Sequence, residues 1–290
     1  MIKVNCGRCY PCLAKKRAEW GFRMQQETKY CESSAWITLT YDDENIPLAK
    51  DETPSLFKQD LVNFNKRVRW HIMQDKNVDT AFLKKLPNGK NAPGYRYLAC
   101  GEYGSKTKRP HYHLMAWNLP IHWLNWDPIH NDYYSNELED IWDLGFIHIG
   151  KIEQGSIHYQ AKYQLKDLIN GPHNESMAIE PFQVMSRNPG IGQLYINDNI
   201  KNYYNNSFDP YATTEDNYKQ PLGRFYKDQI WDEEGRKVLT KKTREFCIEQ
   251  EERERADIEK NGGSFELHQI NQVHHRIKRL KTKETIRSGI

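Results

Sequence analysis

Two β-patterned runs, "YRYLACGEY" (95–103) and "RPHYHLMAW" (109–117), lie on either side of the short polar turn "GSKTK". Aromatic and apolar runs this close together pair as a hairpin, which commits the middle of the chain to an antiparallel sheet. The second run carries His111 and His113 at spacing i, i+2. Successive strand side chains alternate sides, so both imidazoles share one face. A single histidine in such a strand reads as a hydrogen-bonded core residue. Two on one face read as a metal pair, with core packing as the alternative.

The hairpin extends that pair. If Glu102 faces His111, then Cys100 faces His113, and the carboxylate joins both imidazoles on one surface. A register one residue off would put Glu102 on the side of Tyr112 instead. In the first register three protein ligands leave positions open for water or phosphate oxygens, as in a catalytic rather than a structural metal centre. Histidine ligands by themselves suggest zinc as readily as a harder cation.

Around the hairpin, "AWITLTY" (35–41) is rich in β-branched and aromatic residues and reads as a strand. "SLFKQDLVNFNKRVRWHIM" (55–73) has Leu56, Leu61, Phe64, Val68 and Ile72 at helical spacing. "LPNGKNAPG" reads as a loop. After a Trp-rich loop come a short helix ("NELEDIWDLG"), a strand ("FIHIGKIE") and a helix over 156–169. The order strand, helix, hairpin, helix, strand, helix predicts an α+β fold, one central antiparallel sheet with flanking helices. Beyond residue 171 the pattern loosens. "PFQVMSRNPGIGQLY" is loop-like, 227–260 is a charged helical stretch, and "NGG" (261–263) breaks it before a basic tail.

The helix "HYQAKYQLKD" has two faces. At 100° per residue Tyr159, Tyr163 and Lys166 form one stripe; Ile157, Ala161, Leu165 and Leu168 form another, turned well away. The apolar stripe supplies the packing, so the tyrosines are not needed to fill a core. A phenol is a poor nucleophile when protonated. Beside a divalent cation that polarises a phosphodiester, attack by tyrosine would store the broken bond as a phosphotyrosine ester. Lys166 would offset charge on the same phosphate or help hold the phenolate. Two tyrosines would let one hold a 5′ end while the other attacks a second site.

Composition excludes some classes. The 290 residues are 28% charged and 12% aromatic with a net charge of only +3, which speaks for a folded chain and against a uniformly basic coat. The charge is uneven. From His274 onward Arg276, Lys278, Arg279, Lys281, Lys283 and Arg287 face a single acid, Glu284, a tail suited to phosphate backbones or simply to solvent. No export signal or apolar run approaches a membrane span, so no membrane partner and reduced cysteines are expected. "GEYGSKTK" lacks the spacing of a nucleotide-binding phosphate loop, so no ATP site is expected. "CGRCYPC" offers Cys6, Cys9 and Cys12 at metal-ligand spacing. Structural zinc generally takes four ligands, and Cys31 is the nearest further thiol. Zinc and a packed cluster of reduced thiols both remain open readings.

In this order and spacing, "CGRCYPC" with "EWGFRMQQE", "WITLTYDDENIP", "CGEYG", "RPHYHLMAWN", "GFIHIGKIE", "YQAKYQLK" and "MSRNPGIG" resemble the HUH endonuclease superfamily. The closer resemblance is to replication initiators of microviruses, small single-stranded DNA phages of the gokushovirus-like kind. It implies an endonuclease core over 35–171, an N-terminal cysteine segment and helix over 1–34, a loop-rich extension over 172–226 and a charged helical arm with basic tail over 227–290. It further implies rolling-circle replication in the host bacterial cytoplasm. Such a protein nicks single-stranded origin DNA, stays on the 5′ phosphate and later rejoins the displaced strand. His111, His113 and Glu102 match metal-binding positions for Mg²⁺ or Mn²⁺; Tyr159 and Tyr163 match paired catalytic tyrosines, and Lys166 the lysine that follows. Host helicase and polymerase are implied partners. Relatives often carry another cysteine just after the Trp that follows the cluster, where this chain has Met24. Lys108 and Arg109 are candidate phosphate contacts or an ordinary solvated turn. Trp117, Trp123 and Trp126 are candidates to stack bases, with burial expected for at least two of them. A transposase or relaxase, or a non-catalytic binding module, are the competing readings.

Overall fold

A computed structural model describes residues 6–7, 9–86, 89–104, 106–163, 179–213 and 218–288. The described residues fall into two compact units, one spanning 20–195 and the other made of residues before 20 and after 195. In chain order come α1 (Tyr10–Lys29), β1 (Ser34–Tyr41), α2 (Lys58–Gln74), the small pair β2 (Leu83–Lys85) and β3 (Asn91–Pro93), and β4 (Arg96–Tyr103). Then follow β5 (Pro110–Trp117), β6 (Asn125–Asp127), β7 (Asp132–Tyr134), α3 (Asn136–Trp142), β8 (Gly145–Gly150), α4 (Gln154–Tyr163) and β9 (Phe182–Met185). The second unit adds α5 (Asp198–Ser207), the pair β10 (Tyr211–Thr213) and β11 (Lys219–Pro221), α6 (Arg224–Ile230), α7 (Glu233–Lys260) and α8 (Phe265–Ser288). No helix of the described residues is long and apolar enough to cross a membrane.

The first unit is α+β. Its seven-stranded sheet runs β6-β7-β8-β1-β5-β4-β9, and every neighbouring pair is antiparallel. Alternation decides which face each residue serves. In β1 Ala35, Ile37, Leu39 and Tyr41 are buried while the residues between them are partly exposed. Leu61, Phe64, Val68 and Ile72 of α2 and Leu138, Ile141 and Trp142 of α3 close over that face as one core. The opposite face has a second, smaller core in which Met24 of α1 and Ile157 and Ala161 of α4 meet Leu98, Met115 and Trp117. α1 and α4 thus cover only part of this face, and the uncovered part lies beside the histidines.

Two glycines are required by geometry. Gly101 sits next to Glu102 in β4, where a Cβ would lie 3.0 to 3.2 Å from Leu56, Tyr112 and Phe182 in the packed core. Gly145 opens β8 with φ +147, and a Cβ there would overlap the Thr40 carbonyl and Asp42 amide. Helix ends follow ordinary capping. Ser135 accepts the Leu138 amide at 3.2 Å to start α3, and Asp232 accepts that of Gly235 at 2.8 Å to start α7.

The structure departs from the sequence reading mainly at short edge strands. The "LPNGKNAPG" loop contains β3, the Trp-rich loop contains β6 and β7, and the loop-like stretch after residue 180 begins with β9. These strands have three or four residues, too few for an alternation to stand out, and only pairing with a neighbour fixes them. The charged stretch is divided, because α6 ends at Ile230 and α7 restarts from its Asp232 cap. The basic tail is helical, as the second arm of a helical pair with α7.

Candidate functional site

The register of the central hairpin puts Glu102 opposite His111 and Cys100 opposite His113. Glu102 and both histidines therefore share the face that α4 partly covers. His111 Nε2 lies 3.1 Å and His113 Nε2 3.0 Å from the same oxygen, Glu102 Oε1. Tyr159 of α4 donates its hydroxyl to that oxygen at 3.3 Å. Its ring also meets His113 edge-on, with centroids 5.4 Å apart. Three side chains from two strands and one from a helix thus converge on one carboxylate oxygen.

The surroundings fix how the histidines present themselves. His111 Nδ1 is 3.1 Å from the Arg109 carbonyl, which can only accept, so Nδ1 carries a proton and Nε2 is the atom that can offer a lone pair to a cation. His113 Nδ1 is 3.0 Å from Thr38 Oγ1. Burial pushes His113 below its ordinary value of 6.5, which keeps the imidazole neutral. Burial alone would raise the Glu102 carboxyl, but hydrogen bonds from His111 and His113 overcome it and hold the group well below the usual range. An anionic carboxylate between two imidazoles of fixed orientation is a donor set for a divalent cation. These ligand atoms lie within 4.8 Å of one another. The chemistry of the set fits the Mg²⁺ or Mn²⁺ expected from the sequence, and equally other cations that accept mixed N and O ligands.

The remaining candidates separate. Tyr163 closes α4, four residues after Tyr159, and its side chain is outside the described set. Lys166 lies outside the described residues. Ile157 and Ala161 are buried, as the two-stripe reading required. Arg109 is committed to structure, donating to the Tyr41 carbonyl at 2.6 Å and pairing with Asp43 at 2.7 Å. Lys108 occupies the turn with φ +56 and is exposed. Trp117 and Trp123 are buried, whereas Trp126 is partly exposed under the Lys151 ammonium, 3.8 Å from its ring centre.

Cys6, Cys9 and Cys12 form a second convergent group. Sγ of Cys12 is 3.9 Å from that of Cys6 and 3.4 Å from that of Cys9. The edge of a tetrahedron with zinc–sulfur bonds of about 2.3 Å is about 3.8 Å, so the spacing suits a thiolate-bound ion. Cys31 is not brought into this group. It follows the C-terminal end of α1, whereas Cys12 is in the first turn, and its Sγ donates to the Thr28 carbonyl at 3.1 Å. Burial pushes its thiol up to about 12, so it stays protonated. The reading of Cys31 as fourth ligand is therefore corrected: a buried, hydrogen-bond-donating thiol makes a poor metal ligand.

Several neighbours of the site escaped sequence reasoning. Thr38 lies between His113 of β5 and His148 of β8 in one row across the sheet. Trp36, one step along the same face, stacks on His113 at 5.2 Å and meets Tyr159 edge-on at 5.8 Å. Gln160 is fully buried, accepts from the Cys100 thiol at 3.7 Å, and its amide nitrogen has no hydrogen-bond partner among the described residues. His148 pairs with Asp132 at 2.9 Å. The signal for Thr38 and Trp36 was parity, since "AWITLTY" turns both to the face opposite Ile37 and Leu39; which strand they join is a long-range fact. Thr38→Val keeps the shape and removes the hydroxyl that orients His113. Metal affinity measured by calorimetry is expected to fall about 10- to 100-fold with the fold unchanged.

An antiparallel sheet carrying two histidines and a carboxylate on adjacent strands, with a tyrosine delivered to them by a helix, defines a metal-site protein of the kind that acts on phosphodiesters. Residues 34–168 match the family model of the replication-associated protein ORF2. The chain is 29% identical over 206 residues to the replication-associated protein ORF2 of Spiroplasma virus 4, covering 69% of this chain and 59% of that one. It is 27% identical over 230 residues to the replication-associated protein VP4 of Bdellovibrio phage phiMH2K, covering 77% and 66% respectively. Over 184 residues it is 24% identical to the replication-associated protein ORF4 of Chlamydia phage 1, covering 58% of this chain and 39% of the other. The chain thus spans less than two thirds of the length of these relatives. It is related to phage replication-associated proteins, as its motifs implied. No solved structure gave a significant match.

Proposed function

We propose that the chain is a rolling-circle replication initiator of a single-stranded DNA phage, acting as a metal-dependent tyrosine nickase and ligase. One observation carries this reading: the Tyr159 hydroxyl and the Nε2 atoms of His111 and His113 all meet at Glu102 Oε1. His111, His113 and Glu102 would hold Mg²⁺ or Mn²⁺, which when bound polarises the scissile phosphate and offsets charge that builds on it. The tyrosine oxygen forms a bond to phosphorus, the bond from phosphorus to the 3′ oxygen breaks, and that oxygen leaves as a hydroxyl after taking up a proton. The phenolic proton goes to solvent or to a neighbouring base. Trp36 and His113 confine the Tyr159 ring, so the nucleophile is positioned before substrate arrives. Tyr163 takes the second transfer, with Lys166 offsetting phosphate charge.

Reversal by the free 3′-hydroxyl regenerates the phosphodiester, which is the ligation step. The substrate is origin DNA in single-stranded form, and host helicase and polymerase supply unwinding and synthesis. Covalent attachment of 5′-labelled DNA to the protein tests the reading.

In the same proposal Cys6, Cys9 and Cys12 hold zinc, with an outside ligand completing the set. Loading with Co²⁺ is expected to give the intense thiolate-to-metal absorption of a three-sulfur site. Cys9→Ser should weaken that band and Cys31→Ser should leave it intact; an unchanged band in Cys9→Ser would remove the site.

A further inference from the structure

The "MSRNPGIG" stretch (185–192) is not used by the chemistry above, although it is among the clearest motifs of the chain. Its backbone is fastened at several points. Ser186 donates its amide to the Tyr97 carbonyl at 2.9 Å, and its hydroxyl accepts the Tyr97 amide at 3.1 Å. Arg23 donates to the Ile191 carbonyl at 2.9 Å, Gly190 donates to Gln193 at 2.8 Å, and Gly192 donates to the buried Glu27 carboxylate at 2.6 Å. Glu27 also takes the guanidinium of Arg96 in a buried ion pair. Removing one partner of such a pair leaves an uncompensated charge, so the arrangement holds the loop in one place.

The fastened loop forms one wall of a cavity of about 310 Å³ at the end of β4 away from Glu102. Arg69 of α2, Lys84 of β2, Arg96, Arg187, Ser186 and Asn188 line it, and no carboxylate does. Arg69 is set over the rings of Tyr95 and Tyr97, 5.3 and 5.2 Å from their centres, and donates to the Asn65 carbonyl at 3.3 Å. Those contacts orient the guanidinium without neutralising it. Lys84 and Arg187 are exposed at the rim. Of four cationic side chains only Arg96 faces a carboxylate, so the cavity carries an excess of positive charge that an anion would relieve.

We propose that this cleft binds a backbone phosphate of the substrate DNA, away from the nick. Arg96 and Glu102 lie six residues apart on β4, which at about 3.4 Å per residue separates cleft and metal centre by about 20 Å. That is about six nucleotide steps at 3.4 Å each in a duplex strand. The cleft thereby sets which length of flanking DNA the protein grips while the tyrosines act. The proposal rests on the reading of the chain as a DNA-processing protein.

The test is the salt dependence of binding, measured with the full chain by fluorescence anisotropy on single-stranded and duplex DNA of mixed sequence. Lys84→Gln/Arg187→Gln is expected to reduce the slope of log K against log salt by about 1.4 on single strands or by about 1.8 on duplex. The form that shows the loss identifies the strand bound. A control, Lys50→Gln/Lys76→Gln, changes two exposed lysines outside the cleft and should leave the slope alone. An unchanged slope in the cleft variant, or an equal loss in the control, overturns the proposal. If the slope falls but the wild type forms no covalent adduct, the cleft stands and the tyrosine mechanism does not.

Discussion

With single-stranded origin DNA labelled at the 5′ end downstream of the nick, the wild type is expected to carry label through denaturation when Mn²⁺ is present. The double variant Tyr159→Phe/Tyr163→Phe should carry none, with cleavage lowered about 10⁴-fold or more, because the nucleophile acts as part of a unit. Phenylalanine keeps the ring contacts of Tyr159 with Trp36 and His113, so the loss is specific to the hydroxyl. Each single variant assigns one tyrosine. The one that abolishes the first adduct attacks the origin; the other should still form it and fail only in rejoining. Cleavage without adduct would make water the nucleophile and overturn the mechanism. Tight binding with neither cleavage nor adduct would favour the binding-module reading.

The second large effect concerns the metal. His113→Ala and Glu102→Gln should each lower Mn²⁺ affinity at least about 100-fold, more than the loss expected for Thr38→Val, because they remove ligands rather than a group that orients one. Calorimetric titration of folded protein reads this directly, and wild-type affinity in Glu102→Gln would dismiss the centre. Stability without added metal gives an independent check. Both relevant groups are pushed down in the fold, His113 from 6.5 and Glu102 from 4.5. Between each folded value and the ordinary one the unfolded chain binds more protons, so stability rises with pH there. On acidification the His113 contribution falls away from about pH 6.5 downward, and the Glu102 contribution below about 4.5. Denaturant midpoints across that range should decline in the wild type, and Glu102→Gln should remove the lower part of the decline.

Much of the centre was legible because its geometry is local. His111 and His113 are on one strand, Glu102 is one tight turn away, and the alternation of side chains leaves two registers to choose between. The sequence did not choose; the packing of Tyr112 with Tyr41 and Trp142 on the opposite face does, since a slip of one residue would exchange that buried ring for a histidine. The two stripes of α4 were legible for the same reason, through a period of 3.6 residues that Ile157 and Ala161 satisfy by burial. Cys31 shows the opposite case. Its distance along the chain from Cys12 suggested a shared site, but the helix between them is a rod of about 1.5 Å per residue that keeps its ends apart.

The amino-acid sequence by itself determined what depends on neighbours a few residues away: the hairpin, the shared face of two histidines and a carboxylate, and the amphipathic helix with its exposed tyrosine. Tertiary structure alone decided what depends on residues far apart in the chain. β1 is inserted between β5 and β8, which sets Thr38 and Trp36 against His113. α4 is laid so that Tyr159 reaches Glu102, 57 residues earlier. Arg69, Lys84, Arg96 and Arg187 are gathered from four segments into one cleft. Period and alternation are written in consecutive residues, whereas the order of strands in a sheet is selected by burial of the whole core, which no local window contains.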